Sequence, residues 1–192
     1  MDFIFDPVNH EYKLNGRKLL NITYILKICG ITDDRFYTEE GKIRGTYVHK
    51  CCHFIAENDL NWEKVLPEYL GYVQAYDKYV KDTGWKPDIC EKPDYHKTLL
   101  YAGTSDQILL KPKTILELKT GTMMWWTKLQ TALQAMMMFP DDYYNVIRIG
   151  LELHEDGTNR LEFFEDDTDF DEAMTLISMA NMKLKYNLIK EK

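Results

Sequence analysis

The stretch Gly103-Thr104-Ser105-Asp106-Gln107-Ile108-Leu109-Leu110, followed by Thr114-Ile115-Leu116-Glu117-Leu118-Lys119-Thr120, decides how this chain is read. Both runs read as strands, over Ser105 to Leu110 and Thr114 to Leu118. Alternate residues of a strand share a face, so Glu117 and Lys119 point one way while Leu116 and Leu118 enter apolar packing. If the two strands form a hairpin, Asp106 can lie beside Glu117. Two carboxylates at such range repel unless a cation joins them. Mg²⁺ favours oxygen ligands of this kind. Lys119, next to the pair, is placed to orient an attacking water and to offset charge on a phosphate. Each group has a part in phosphodiester hydrolysis.

Working outward, the N-terminal segment reads as a hairpin. Phe3-Ile4-Phe5 is a short strand, and Glu11 to Leu14 and Arg17 to Leu19 flank Asn15-Gly16, a two-residue turn whose positions both need positive φ. Asn21 or Thr23 caps a short helix to Cys29, stopped by Gly30. Thr38-Glu39-Glu40 opens a longer helix to Glu57. A third helix runs from about Glu68 to Lys81, with Tyr69, Tyr72, Val73, Tyr76 and Val80 at helical spacing. Pro87 to Cys90 and Thr98 to Tyr101 read as strands ahead of the decisive pair. Trp125 to Phe139 reads as a helix halted by Pro140. Tyr143 to Leu153 and Arg160 to Phe164 form a hairpin about Asp156-Gly157. The last helix starts near Asp169, with one apolar stripe of Phe170, Met174, Ile177, Ala180, Leu184 and Leu188. The expectation is one mixed α/β domain over residues 1–192, with a central sheet.

Composition narrows the class. The 192 residues are 45% hydrophobic and 29% charged, ordinary for a globular domain with one sizeable core. No basic segment followed by an apolar run marks a signal peptide, and no stretch reaches the length of a membrane span. A cytoplasmic protein with no membrane partner is expected. Cys29, Cys51, Cys52 and Cys90 contain no CxxC pair and read as reduced thiols, without structural zinc. The net charge of -7 argues against a general nucleic-acid binder, which carries a basic excess. A metal-dependent site gathers carboxylates, though, and a bound cation reverses the local sign. The acidic excess clusters late, between Glu152 and Glu172, whereas Lys42 to Lys50 is positive.

Gly103-Thr104-Ser105-Asp106 and Glu117-Leu118-Lys119-Thr120 resemble motifs II and III of the PD-(D/E)XK nuclease superfamily, in its RecB-type branch. Arg44-Gly45-Thr46-Tyr47-Val48-His49 is similar to the upstream helix motif of that branch, which carries a histidine. Gln130 matches the first place of its later Gln-x-x-x-Tyr helix, where Gln134 stands in place of the tyrosine. The segment from His10-Glu11-Tyr12 through Ile22-Thr23 resembles the start of phage and mitochondrial RecB-like exonucleases. The resemblance spans residues 10 to about 139. It implies a restriction-endonuclease-like core, a central mixed β-sheet flanked by helices with an N-terminal β-hairpin. It also implies an Mg²⁺- or Mn²⁺-dependent deoxyribonuclease, an exonuclease of phage or bacterial recombination, replication or repair. By the same resemblance Asp106, Glu117, Lys119 and Gln130 are catalytic, and His49, Asp106, Glu117 and the Leu118 carbonyl hold the metal. Glu91 takes a supporting place on the first core strand. DNA is the implied partner, with a protein partner from a recombination or replication complex, in the cytoplasm of a bacterium or a phage-infected host.

Arg44, Lys50 and Lys128, with Gln130, are the candidate phosphate contacts. Trp125 and Trp126 suit base stacking or packing at a helix start. His49 and His53 have the i, i+4 spacing of a zinc pair, but Lys50 follows His49 where a zincin carries glutamate. No cysteine follows Cys90, so the iron–sulfur cluster of some RecB-type nucleases is not expected. A non-catalytic nucleic-acid-binding module on a nuclease-like fold is the alternative from another class.

Overall fold

The computed structural model describes residues 2–32 and 38–189. Strands β1 (Phe3–Asp6), β2 (Glu11–Leu14) and β3 (Arg17–Lys18) form a small antiparallel sheet. Asn15 and Gly16 turn β2 into β3 with φ of 50° and 79°, the left-handed pair that a tight hairpin requires. Phe3, Phe5 and Leu14 pack on the buried Tyr12, giving this sheet its own apolar cluster with Leu19 and Ala102.

The main sheet contains β4 (Leu20–Asn21), β5 (Ile89–Tyr95), β6 (Tyr101–Leu110), β7 (Lys113–Lys119), β8 (Ile147–Leu153) and β9 (Asn159–Phe163). Its order is β4-β6-β7-β8-β9, with β5 also on β6. The β4–β6 and β7–β8 pairs are parallel and the others antiparallel, so the sheet is mixed, as expected. Helices α1 (Ile22–Ile28), α4 (Thr127–Met138) and α5 (Thr168–Lys185) cover one face, where Ile25, Leu133, Met136, Phe170 and Ile177 meet Tyr101, Ile108 and Ile115. Helices α2 (Glu39–Ala56) and α3 (Leu70–Thr83) cover the other, where Val48, Cys52, Tyr72 and Tyr76 meet Leu116, Leu118 and Leu151. Asn21 caps α1 by accepting from the Tyr24 N–H at 2.7 Å, and Thr38 caps α2 by accepting from that of Gly41 at 3.0 Å.

The central feature is a fork. Strand β5 lies along one edge of β6 from Ala102 to Ile108. The other edge is divided: β4 pairs at Tyr101 and Ala102, and β7 pairs only from Gln107 to Leu110. Among the described residues, 103–106 between them have no strand partner on that side. Ile22 of α1 lies over this opening, so close to Gly103 that an added Cβ would stand 2.6 Å from Ile22 Cδ1.

Several elements differ from the sequence reading. Thr98 to Tyr101 is not a separate strand: residues 97–99 turn, and β6 runs unbroken from Tyr101. The turn is organised by His96, whose Nδ1 accepts the Thr98 and Leu99 N–H groups at 3.2 and 3.1 Å, a device without periodicity. Strand β5 continues through Pro93 to Tyr95, because the missing N–H of proline is tolerated on a strand with one neighbour. On α5, Met174 is exposed, Ala173 and Leu176 take core places instead, and Leu188 lies exposed beyond the end of the helix. The helix after the decisive strands begins at Thr127, two residues beyond Trp125.

Two predictions arise here. Gly71 in α3 lies against the β8–β9 turn, and a Cβ on it would stand 1.6 Å from the Glu155 carbonyl oxygen. Gly71→Ala is expected to destabilise the fold by roughly 1–3 kcal/mol through overpacking, read by denaturant unfolding; an unchanged midpoint would refute that contact. Burial lowers the His96 pKa against a smaller backbone effect. The folded value lies below the unfolded one, so its contribution is complete above the unfolded value of about 6.5 and declines as pH falls below it. Between pH 7.5 and 5 the wild type should lose about a few degrees more of its thermal midpoint than His96→Asn, which keeps an acceptor but does not titrate. Parallel curves would remove His96 from the account.

Candidate active site

Asp106 stands in the fork. One residue beyond the last β6–β7 pair, Gln107 with Leu116, the register sets it across from Glu117. Its side chain takes over the role of the ladder there, with Oδ2 accepting the Leu118 N–H at 2.8 Å. On its other oxygen, Oδ1 lies 3.5 Å from His49 Nδ1. Helix α2 packs mainly on the opposite face, and His49 nonetheless reaches Asp106.

Glu117 is almost wholly buried, at 3% exposure. Its Oε1 accepts from Lys119 Nζ at 2.8 Å and Gln130 Nε2 at 2.6 Å, and its Oε2 accepts from Gln134 Nε2 at 2.8 Å. Lys119 Nζ also donates to Gln130 Oε1 at 3.1 Å and lies 5.3 Å from the centre of the Trp126 ring. A buried carboxylate without partners is costly, and these donors are what allow one here.

The pair is electrostatically unequal. For Glu117, burial and then the Asp106 charge push the pKa up against Lys119 and Gln134. For Asp106, burial pushes up too, but His49, Lys119 and the Leu118 N–H prevail and hold it below the ordinary carboxylate value. Burial opposes a charged His49, yet the neighbouring carboxylates outweigh it and its pKa is raised. Two close acids driven apart in this way are characteristic of sites that do chemistry.

The structure thus brings together Asp106, Glu117, Lys119, Gln130 and His49. Leu118 joins through its N–H. Lys50 lines a cleft of about 900 Å³ over Asp106, with Lys42, His53, Glu91, Gln130 and Gln134. Arg44 stands beside it, donating from Nε to Thr120 Oγ1 at 3.4 Å and lying over Tyr72. Lys128 does not join them. Its ammonium is 2.8 Å from Asp169 and 3.3 Å from Glu172, because the start of α4 abuts the start of α5. The two tryptophans part company: Trp126 is buried under Lys119, and Trp125 is 59% exposed.

Gln134 gained no role from the sequence, since it replaces an expected tyrosine. It sits one helical turn after Gln130, and that i, i+4 spacing is the signal available for it. Its Nε2 holds Glu117 and lies 3.5 Å from the Thr104 carbonyl in the fork, while its buried Oε1 has no hydrogen-bond partner among the described residues. Glu91 faces Asp106 in the β5–β6 register and takes φ of 46°, a left-handed conformation that costs a glutamate energy.

Among the described residues, no three His, Cys, Asp or Glu side chains stand together closely enough to hold a metal. The donor chemistry suits a hard cation all the same. Glu117, raised by burial and then by the Asp106 charge, and Asp106 with an imidazole beside it form an oxygen-rich pair whose repulsion a divalent ion would relieve.

No family model and no curated protein matches the sequence. Among solved structures, a protein of Eubacterium rectale described as an inferred exonuclease aligns over 87% of this chain and 74% of its own, with TM-score 0.56 at 10% identity. The two share a fold. Two structures of the exonuclease of Laribacter hongkongensis, one with dAMP and one described as an alkaline exonuclease, align over 88% of this chain and 89% of theirs. Both are 12% identical, with TM-scores of 0.44 and 0.42, overlaps too low to identify a fold. The mixed sheet flanked by helices, with its N-terminal hairpin, agrees with a nuclease-like fold.

Gln134 and Glu117 should be energetically coupled. Gln134→Leu is expected to cost about 1–3 kcal/mol by leaving a buried acceptor short of a donor. Combined with Glu117→Gln the loss should fall short of additivity by on the order of 0.5–3 kcal/mol. Unfolding of the four proteins of the cycle measures it, and strict additivity would contradict the hydrogen bond.

Proposed function

We propose that this chain is a metal-dependent nuclease that hydrolyses DNA phosphodiester bonds, acting as an exonuclease in recombination, replication or repair in a bacterium or a phage-infected cell. The observation that carries the reading is the fork, where Asp106 and the buried Glu117 face each other with Lys119 bonded to Glu117 and a cleft opening over Asp106. As the family resemblance implies, Asp106, Glu117, His49 and the Leu118 carbonyl would hold Mg²⁺ or Mn²⁺, although the three side chains stand farther apart in this structure than joint ligation requires. When bound, the metal supplies Lewis acidity and a water of lowered pKa.

The chain's own side chains do the rest. Lys119 Nζ, fixed by Glu117, Gln130 and the Trp126 ring, is a positive donor facing the place where charge grows on a phosphate. Gln130 bonds both Lys119 and Glu117 and keeps them in one geometry. Lys42 and Lys50 give the cleft cations that favour a phosphate despite a net charge of -7. No helix among the described residues is long and apolar enough to cross a membrane.

A second reading, a non-catalytic nucleic-acid-binding module on the same fold, draws on the absence of a three-donor group among the described residues. One experiment separates the two. End-labelled linear and circular DNA, single- and double-stranded, is incubated with the protein in Mg²⁺, Mn²⁺ or EDTA. The nuclease reading expects metal-dependent release of nucleotides from ends and none in EDTA. Lys119→Ala should lower the rate by about 100-fold or more, the scale of a lost transition-state donor. It should remain folded, because Gln130 and Gln134 still donate to Glu117. Cleavage by Lys119→Ala at the wild-type rate would remove Lys119 from the mechanism. DNA binding with no cleavage under any metal would establish the module.

A further inference from the structure

We infer that a second groove, running from the fork across β2, β3, α1 and the end of α5, carries the part of a single-stranded DNA chain that lies beyond the nucleotide held at Asp106 and Glu117. The inference rests on the nuclease reading for the identity of the bound polyanion.

The groove is a cavity of about 1030 Å³. It shares Asn9, His10 and Asn21 with the cleft over Asp106, so the two meet there as one path. The charge of the groove opposes that of the protein. Among the described residues, Arg17, Lys18 and Lys27 line it with one acid, Glu11, in a chain of net charge -7, and Lys18 and Lys27 have further polar partners of their own. Lys18 is 2.6 Å from Glu11, and Arg17 makes no ion pair among the described residues. The cations come from two separate elements, β3 and the last turn of α1. Charge spread in this way suits successive phosphates of a strand better than one small anion.

The other lining groups suit bases. Tyr24, Leu99 and Leu100 offer ring and apolar surface, and the Asn9, Asn21 and Asn181 amides offer donors and acceptors. Unpaired bases use both kinds of group, whereas a duplex keeps its base faces stacked inside. Two lining residues, His10 and Leu100, hold φ of 52° and 55°. Left-handed backbone is costly for such side chains and gathers at binding sites. His10 stands at the junction, its ring edge-on to Phe5 and Tyr12 at 5.6 and 5.4 Å. Tyr12 in turn bonds Thr104 of the fork at 2.8 Å, tying the junction to the site.

The test measures binding of oligothymidylates of 4 and 12 nucleotides in Ca²⁺, as a non-cleaving ion, across a salt series. The wild type should bind the 12-mer at least tenfold more tightly than the 4-mer. Arg17→Ala/Lys27→Ala should erase most of that ratio. It should also lower the 12-mer salt slope by about 1.4 on log axes, two contacts at about 0.7 each for single strands. Arg17→Ala alone, at an exposed strand position, should lower it by about 0.7; thermal midpoints check that both variants fold. An unchanged length ratio and slope in the double variant would overturn the groove. Length-dependent binding without cleavage in Mg²⁺ would keep the groove and remove the nuclease reading. No binding of either oligonucleotide would overturn both.

Discussion

The structure turns on one substitution of partners: the Leu118 N–H, which would continue the β6–β7 ladder, donates to the Asp106 carboxylate instead. The two central strands part at that point. The opening admits the Asp106 side chain, exposes it to the cleft, and leaves Glu117 opposite it within the protein. A buried backbone donor must be satisfied, and here the group that satisfies it is also a charged site residue. Asp106 is therefore fixed by the sheet itself, at a position where loss of the carboxylate would also orphan a backbone group.

Glu117 imposes a second demand, met by α4. Gln130 and Gln134, one turn apart on its inner face, grip both oxygens of the carboxylate. Helix α4 is held in turn by a buried polar network at its start. Arg148 of β8, 2% exposed, bonds Asp169 of α5 at 2.9 Å and the Lys128 carbonyl at 3.0 Å. The Lys128 ammonium closes the network on Asp169. Breaking such a network by removing one member leaves a buried charge unpaired. The late acidic segment thus includes one residue, Asp169, that anchors the helix carrying the glutamines.

Charge is arranged in the same layered way. The excess of acid lies largely on the β8–β9 hairpin and the start of α5. The cleft and the groove that joins it hold Lys42, Lys50, Arg17, Lys18 and Lys27. Local sign, more than the total of -7, governs what can approach the fork.

The sequence by itself determined the elements with strong local signals. Asn15-Gly16 specified a hairpin through positive φ, Thr38 specified a helix start through its cap, Asn21 and Thr23 bracketed another, which the structure assigns to Asn21, and Glu117-Leu118-Lys119 specified which side chains share a face. It allowed Asp106 to lie beside Glu117 if the two strands formed a hairpin, and the register Leu110 with Lys113, which sets the two opposite each other, was decided by the folded sheet. Tertiary structure alone decided what depends on residues distant in the chain. It turned Lys128 toward Asp169, separated the buried Trp126 from the exposed Trp125, and gave Gln134 its hold on Glu117. It also joined Arg17, Lys27 and Leu100 into one groove. Beyond the i, i+4 spacing that puts Gln134 on the face of Gln130, none of these could be read from spacing, because a long polar side chain chooses its partner from whatever packing places within a few ångströms, and that partner is set by how helices and sheet dock rather than by its neighbours in sequence.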